Sequence, residues 1–178
     1  MTTTTGDSLI GNITTGDALV GNITTGDSLT GNITTDDSLT GNITTLKLEE
    51  IVTNNFQFID RGQPGLSAGD IQTFETKLIE PDTEEVVATK NAIERYIQGS
   101  NGDIISIIQE TIEFEDGSKL YTLGTFNQTE RPDILNFGIV NGTGSFNGAK
   151  GFEEITSVLP FIPGDEQVDS LINLTFIS

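Results

Sequence analysis

Residues 140–151 read Val140-Asn141-Gly142-Thr143-Gly144-Ser145-Phe146-Asn147-Gly148-Ala149-Lys150-Gly151. Glycines at 142, 144, 148 and 151 permit the tight bends needed where short strands close on one another, and Phe146 is placed to plug a core. Working outward, β-rich stretches separated by turn signals predict strands over 56–60, 71–79, 86–97, 104–114, 120–126, 134–140, 154–159 and 171–177. Glu115-Asp116-Gly117-Ser118 and Ser100-Asn101-Gly102-Asp103 read as hairpin turns. No stretch keeps a helical period; only 86–96 is ambiguous. Seven or eight strands after residue 46 predict an all-β domain, either a closed antiparallel barrel or a sandwich.

The composition narrows the chemistry. With 178 residues the chain suits one ordinary domain. Its net charge of −19 repels nucleic acid phosphates and anionic lipid surfaces, and no apolar run is long enough to span a membrane. There is no Cys and no His, so disulfides, thiolate nucleophiles, zinc sites and histidine bases are excluded. Acid–base chemistry by Asp, Glu or Tyr and a hard cation held by oxygens remain open. After Met1 come four threonines, Gly6 and Asp7, with neither a basic nor an apolar leader region, so no signal peptide is expected. The compartment stays open, the extracellular space included.

Residues 1–45 are a tandem decapeptide array: GDSLIGNITT from Gly6, then GDALVGNITT, GDSLTGNITT and DDSLTGNITT. Gly-Asp and Gly-Asn turns alternate with three-residue stretches such as Ser8-Leu9-Ile10 and Ile13-Thr14-Thr15, which suit small stacked strands. Asp7, Asp17, Asp27 and Asp37 recur at ten-residue spacing and would gather calcium if successive turns stack; otherwise they are solvated turns. No other cofactor is expected. Four copies offer little apolar area, so the array is expected to remain a low-complexity tail, to dock on its own barrel or, as the favoured reading, to pair with another subunit's sheet. All eight Lys and Arg lie beyond residue 46, which places the folded domain at 46–178.

The 140–151 stretch resembles the glycine-rich signature shared by plant dirigent proteins and the allene oxide cyclase barrel. Gly69-Asp70-Ile71-Gln72-Thr73-Phe74-Glu75-Thr76-Lys77-Leu78 is similar to a family strand that begins Gly-Asp and ends Lys-Leu, and Asp60-Arg61-Gly62-Gln63-Pro64 to a segment after the family's first strand. The three matches occur in family order and cover about residues 47–178. The resemblance implies an eight-stranded antiparallel barrel with an apolar cavity, usually trimeric, preceded here by the repeat array. It aligns Pro64 with the proline at the cavity mouth. It also puts Asn55 at a glutamate position, Gln57 at an asparagine, Thr76 at another asparagine and Ile93 near a cysteine. The cyclase's own polar set is therefore not retained.

Alternation of side chains places Ile59 inside wherever Asn55 and Gln57 are inside. One parity of the 104–114 strand gives Ile104, Ser106, Ile108, Glu110, Ile112 and Phe114, an apolar row broken by a carboxylate. Glu110 either faces a cavity as an acid or faces solvent in an ordinary ion pair. Arg95, which shares a parity with Thr89, Asn91 and Ile93, is its expected partner. Tyr96 and Tyr121 read as packing residues. The function expected is binding of a hydrophobic small molecule, with Asn55, Gln57, Pro64, Thr76, Ile93 and Arg95 lining the site. Glu110 and Gln57 are then the candidate catalytic groups for a cyclisation or isomerisation. A non-catalytic assembly protein and a carrier module are the alternatives.

Overall fold

Residues that alternate between apolar and polar character after residue 46 become strands because one face of each can be buried. The computed structural model describes residues 12–14, 31–34, 40–130, 132–157 and 168–178. Two short strands, β1 (Asn12–Thr14) and β2 (Gly31–Thr34), precede eight longer ones. These are β3 (Thr40–Ile59), β4 (Ile71–Ile79), β5 (Val86–Gln98), β6 (Ile104–Phe114), β7 (Lys119–Asn127), β8 (Ile134–Thr143), β9 (Lys150–Ser157) and β10 (Val168–Ile177). Neighbours are antiparallel from β3 to β10, and β3 also pairs with β10, which closes an eight-stranded barrel.

The expected strands at 71–79 and 104–114 have those bounds. The first does not. A strand was expected from Phe56, whereas β3 begins at Thr40 and runs unbroken past residue 45. Its early half exists because β10 pairs with it from Ile43 to Ile51, burying Leu48 and Glu50. The charged run Lys47 to Glu50 hid this strand, since only its even positions face inward. In the array, the described strands all fall on Asn-Ile-Thr halves: β1 lies parallel to β2 with Asn12 opposite Asn32, and β2 pairs antiparallel with the start of β3. Asp7, Asp17, Asp27, Asp37 and the Ser8-Leu9-Ile10 stretch lie outside the described residues.

Inward side chains build the core, with Leu48, Leu78, Ile108, Ile112, Leu120, Phe137, Ile172, Leu174 and Phe176 all buried. One end is closed by aromatic rings. Phe146 lies 4.7 Å from Phe114 and 5.3 Å edge-on from Phe176, centroid to centroid. Phe146 belongs to a short 3-10 turn, Gly144–Phe146, between β8 and β9. The opposite end carries the β3–β4, β5–β6 and β7–β8 connections. The first of these is pinned by Asp70, whose carboxylate accepts the Arg61 and Ser67 amides at 2.7 Å each. Those bonds, the Arg61 amide foremost, hold the Asp70 carboxyl below its ordinary range.

Close approach explains one glycine directly. A Cβ on Gly151 would stand 2.0 Å from the Thr175 carbonyl oxygen and 2.6 Å from the Phe176 Cα, both backbone atoms of β10. A Cβ on Gly138, facing outward on β8, meets nothing nearer than 3.8 Å. Gly151→Ala is therefore expected to destabilise the barrel by about 1–3 kcal/mol, and Gly138→Ala to stay within about 0.5 kcal/mol. Urea unfolding of the two variants checks the contrast; equal midpoints would refute it.

Candidate functional site

Pairing fixes which face of each strand looks inward. Across the 99–103 turn Gln98 stands opposite Ile104 and Ala92 opposite Glu110, so the apolar parity of β6 carries Ala88, Lys90, Ala92, Glu94 and Tyr96 of β5 into the lumen. Thr89, Asn91, Ile93 and Arg95 face out. The expected Arg95–Glu110 pair therefore does not form: the Arg95 guanidinium donates to Gln109 Oε1 at 3.0 Å on the outer surface. Register across the Ser100–Asp103 hairpin was the signal that would have found Lys90.

Lys90 is the centre of a buried polar layer. Its Nζ lies 2.7 Å from Glu50 Oε1, 3.4 Å from Glu110 Oε1 and 3.6 Å from Glu153 Oε1. The Thr76 hydroxyl donates to Glu50 and the Thr122 hydroxyl to Glu110, each at 2.7 Å. Six of the barrel's strands, β3 to β7 and β9, thus contribute one buried polar side chain each. Burial alone would push the Lys90 ammonium toward neutrality, but the carboxylates of Glu110, Glu50 and Glu153 outweigh it and hold its pKa above the ordinary lysine value.

Three carboxyls against one ammonium leave the layer short of positive charge. Neither oxygen of Glu153 receives a hydrogen bond from a described donor. Burial first, and then the Glu110 carboxylate beside it, raise the Glu153 pKa well above the ordinary range, with Lys90 only partly opposing. Burial and the neighbouring carboxylate thus both favour a proton on Glu153.

A second polar group lies two inward positions along β5, four residues on from Lys90, toward the loop-bearing end. Buried Glu94 accepts the Ser106 hydroxyl at 2.5 Å and the Gln128 amide at 2.9 Å. Tyr96 donates to Gln72 Oε1 at 2.8 Å, and burial together with Glu94 raises its pKa. Phe126, opposite Ser106, and Phe137, opposite Glu153, stack at 6.4 Å.

The expected site residues separate between the two faces. Thr76 and Glu110 are inward and buried. Asn55 and Gln57 are on the outer face, with Gln57 opposite outward Thr73 and the Asn55 amide donating to Glu75 at 3.0 Å; Ile59 lies opposite Ile71 on the same face. The bulge between Val52 and Phe56 keeps even residues inward on both sides of it, which is why the odd ones point out. Ile93 is outward too, and Pro64 lies exposed in the β3–β4 connection. Asn55, Gln57 and Ile93, with Thr73, Gln109 and Leu123, line an outer groove of about 840 Å³. Tyr96 is inward, while Tyr121 lines this groove. Among the described residues, no group of three or more Asp or Glu is arranged to hold a metal ion, and no helix is long and apolar enough to cross a membrane.

Two variants test the layer. Lys90→Met strands the carboxylates and is expected to cost about 3–5 kcal/mol in urea unfolding. Glu153 has its pKa raised by folding. Its contribution to stability is therefore full below the unfolded carboxylate value and is lost as pH rises through the higher folded value. Glu153→Gln, which stays neutral and keeps a donor toward Glu110, should match the parent in acid and exceed its melting temperature at alkaline pH. A constant difference across pH would show that Glu153 is already ionised.

Comparison with known proteins places this geometry. The chain matches the family described as "Allene oxide cyclase barrel like domain" over residues 45–174. A search of curated proteins found no match. Among solved structures it is similar to a pyocyanin demethylase, at 17% identity and TM-score 0.61, covering 74% of this chain and 98% of that one. It is similar to a nonspecific heme-binding cyclase that catalyses a cycloaddition in neoabyssomicin biosynthesis, at 15% identity and TM-score 0.59, covering 77% and 67%. A third neighbour is a pterocarpan synthase dirigent protein, at 19% identity and TM-score 0.57, covering 76% and 93%. Heme belongs to the second neighbour's description; this chain has no His or Cys to supply an axial nitrogen or thiolate. These identities carry the fold alone, and with the family match over most of its length the chain belongs to the allene oxide cyclase barrel-like family.

Proposed function

We propose that the barrel takes a hydrophobic small molecule into its lumen from the loop-bearing end and steers its cyclisation or isomerisation. The observation that carries this reading is a pair of aromatic side chains. Phe56 and Phe58 share the inward face of β3 with Phe74 and Gln72 opposite them, yet remain 42% and 39% exposed. Inward aromatic rings left wet mark an open mouth, whereas the other end is stoppered by Phe114, Phe146 and Phe176. Below the mouth come Tyr96, Gln72 and Glu94 and, farther in, the Lys90 layer, with Phe126 opposite Ser106 and Phe137 opposite Glu153. The neighbours' described activities on small organic molecules support the same reading.

Such a lumen works chiefly by holding a flexible substrate in the folded shape from which it reacts. An isomerisation also needs a proton given at one atom and taken at another. Neutral Glu153 is the donor and the Glu110 carboxylate beside it the acceptor. Asn55, Gln57, Ile93 and Arg95 lie on the other face of the sheet, and this reading assigns them no step.

A second reading concerns the outer face and self-association. Ile93, Leu123 and Phe152 fall on one row across β5 to β9, linked through Gln109 and Gly138, and all three stay exposed beside Val140. Apolar rows of this kind on a sheet face favour contact with another copy of the chain.

The chain contains no Trp, so single reporters can be introduced without background. Phe58→Trp should be quenched saturably, with Kd of about micromolar order, by a hydrophobic fluorescent acceptor, while an outward Leu171→Trp should not. Equal response of both, or no saturation, would sink the lumen reading. For self-association, Leu123→Lys combined with Phe152→Lys should lower the mass seen by light scattering. An unchanged mass would reject the outer face as the contact.

A further inference from the structure

We propose that the molecule this lumen takes carries a protonated basic nitrogen on an apolar body, and that carboxylic acids are rejected. The proposal rests on the lumen reading above and specifies its substrate class. Four carboxyls point inward, Glu50, Glu94, Glu110 and Glu153, and all are buried. The one inward described cation, Lys90, already spans three of them at 2.7, 3.4 and 3.6 Å. The other described pairs of basic residues are on the outside, Arg95 with Gln109 and Lys119 with Glu113. An incoming carboxylate would find no uncommitted positive group there and would face an uncompensated negative field.

The lumen is instead short of donors and of positive charge. Glu153 is fully buried beside Lys90, and neither of its oxygens receives a hydrogen bond from a described donor. Glu94, nearer the mouth, has neutral groups around it in the described contacts: it accepts from the Ser106 hydroxyl and the Gln128 amide, and the Tyr96 hydroxyl lies beside it. Rings of Phe126, Phe137 and Tyr96 lie along the same path, and aromatic faces attract cations as carboxylates do. An ammonium on an apolar body meets both features at once: its charge offsets Glu94, and its N–H groups supply donors. The chain's net charge of −19 draws the same ligands toward the mouth.

The test uses the full chain with the fluorescent probe bound, displaced by decylamine, decanol or decanoate at neutral pH. The three share one tail and differ only in the head group. The amine is expected to displace the probe at roughly tenfold or more lower concentration than the alcohol, which is the effect of one well-placed charge, with decanoate weakest. Glu94→Gln should reduce the amine's advantage and leave the alcohol unchanged. If that variant does not fold, the wild-type ordering in high salt decides: attraction to the surface is screened there and a buried preference survives. Decanoate binding as tightly as decylamine overturns the proposal while the lumen reading stands. So does an amine advantage that survives Glu94→Gln or vanishes in salt. Failure of the probe itself to bind removes the lumen reading, and this inference with it.

Discussion

The ammonium of Lys90, surrounded by the carboxyls of Glu50, Glu110 and Glu153, is the constraint on which the barrel's interior depends. A buried charge costs several kcal/mol unless it is paired, and an unpaired partner costs more than the pair gains. Each of these side chains must therefore arrive at the same level of the barrel, and they come from β3, β5, β6 and β9, with Thr76 and Thr122 from β4 and β7 completing the bonds. A slip of one residue in any of these strands would turn a charged group outward and leave its partners stranded. The layer thus adds a demand for one register to a core whose aliphatic side chains would tolerate several.

Above and below this layer the barrel behaves as two different objects. Toward the β8–β9 turn it is packed solid by three phenylalanines, and glycines are needed where backbones touch. Toward the loops it carries wet aromatic rings and a carboxylate held by neutral donors. The polar layer separates them, and in the proposed function it is the floor of the substrate's space.

Membership of the family accounts for the barrel and its glycine-rich turn. It accounts for little of the interior: of the polar positions the family likeness pointed to, Thr76 faces inward, whereas Asn55 and Gln57 face out. Function in such barrels lies in the side chains that alternate inward, and a shared backbone accommodates many sets of them. The outer face, with amides from Asn55, Gln57, Asn91 and Gln109 around an apolar row, is a separate surface.

Much of the architecture was legible in the chain itself. Turn chemistry at Glu115–Ser118 and Ser100–Asp103, the apolar parity of 104–114 and the glycines of 142–151 are local signals, and local signals specify strands, bends and an apolar row on β6, while leaving open whether Glu110 in that row faces in or out. What they could not specify is which groups meet. Lys90, Glu50 and Glu153 stand on segments whose two parities look equally polar, and only pairing with β6, β4 and β8 turns them inward. The early half of β3 was hidden for the same reason, being a strand only because β10, more than a hundred residues later, lies beside it. Sequence periodicity reports how a side chain differs from its neighbours along the chain. Closure of the barrel decides what it faces across it, and the charge cluster exists only at that level.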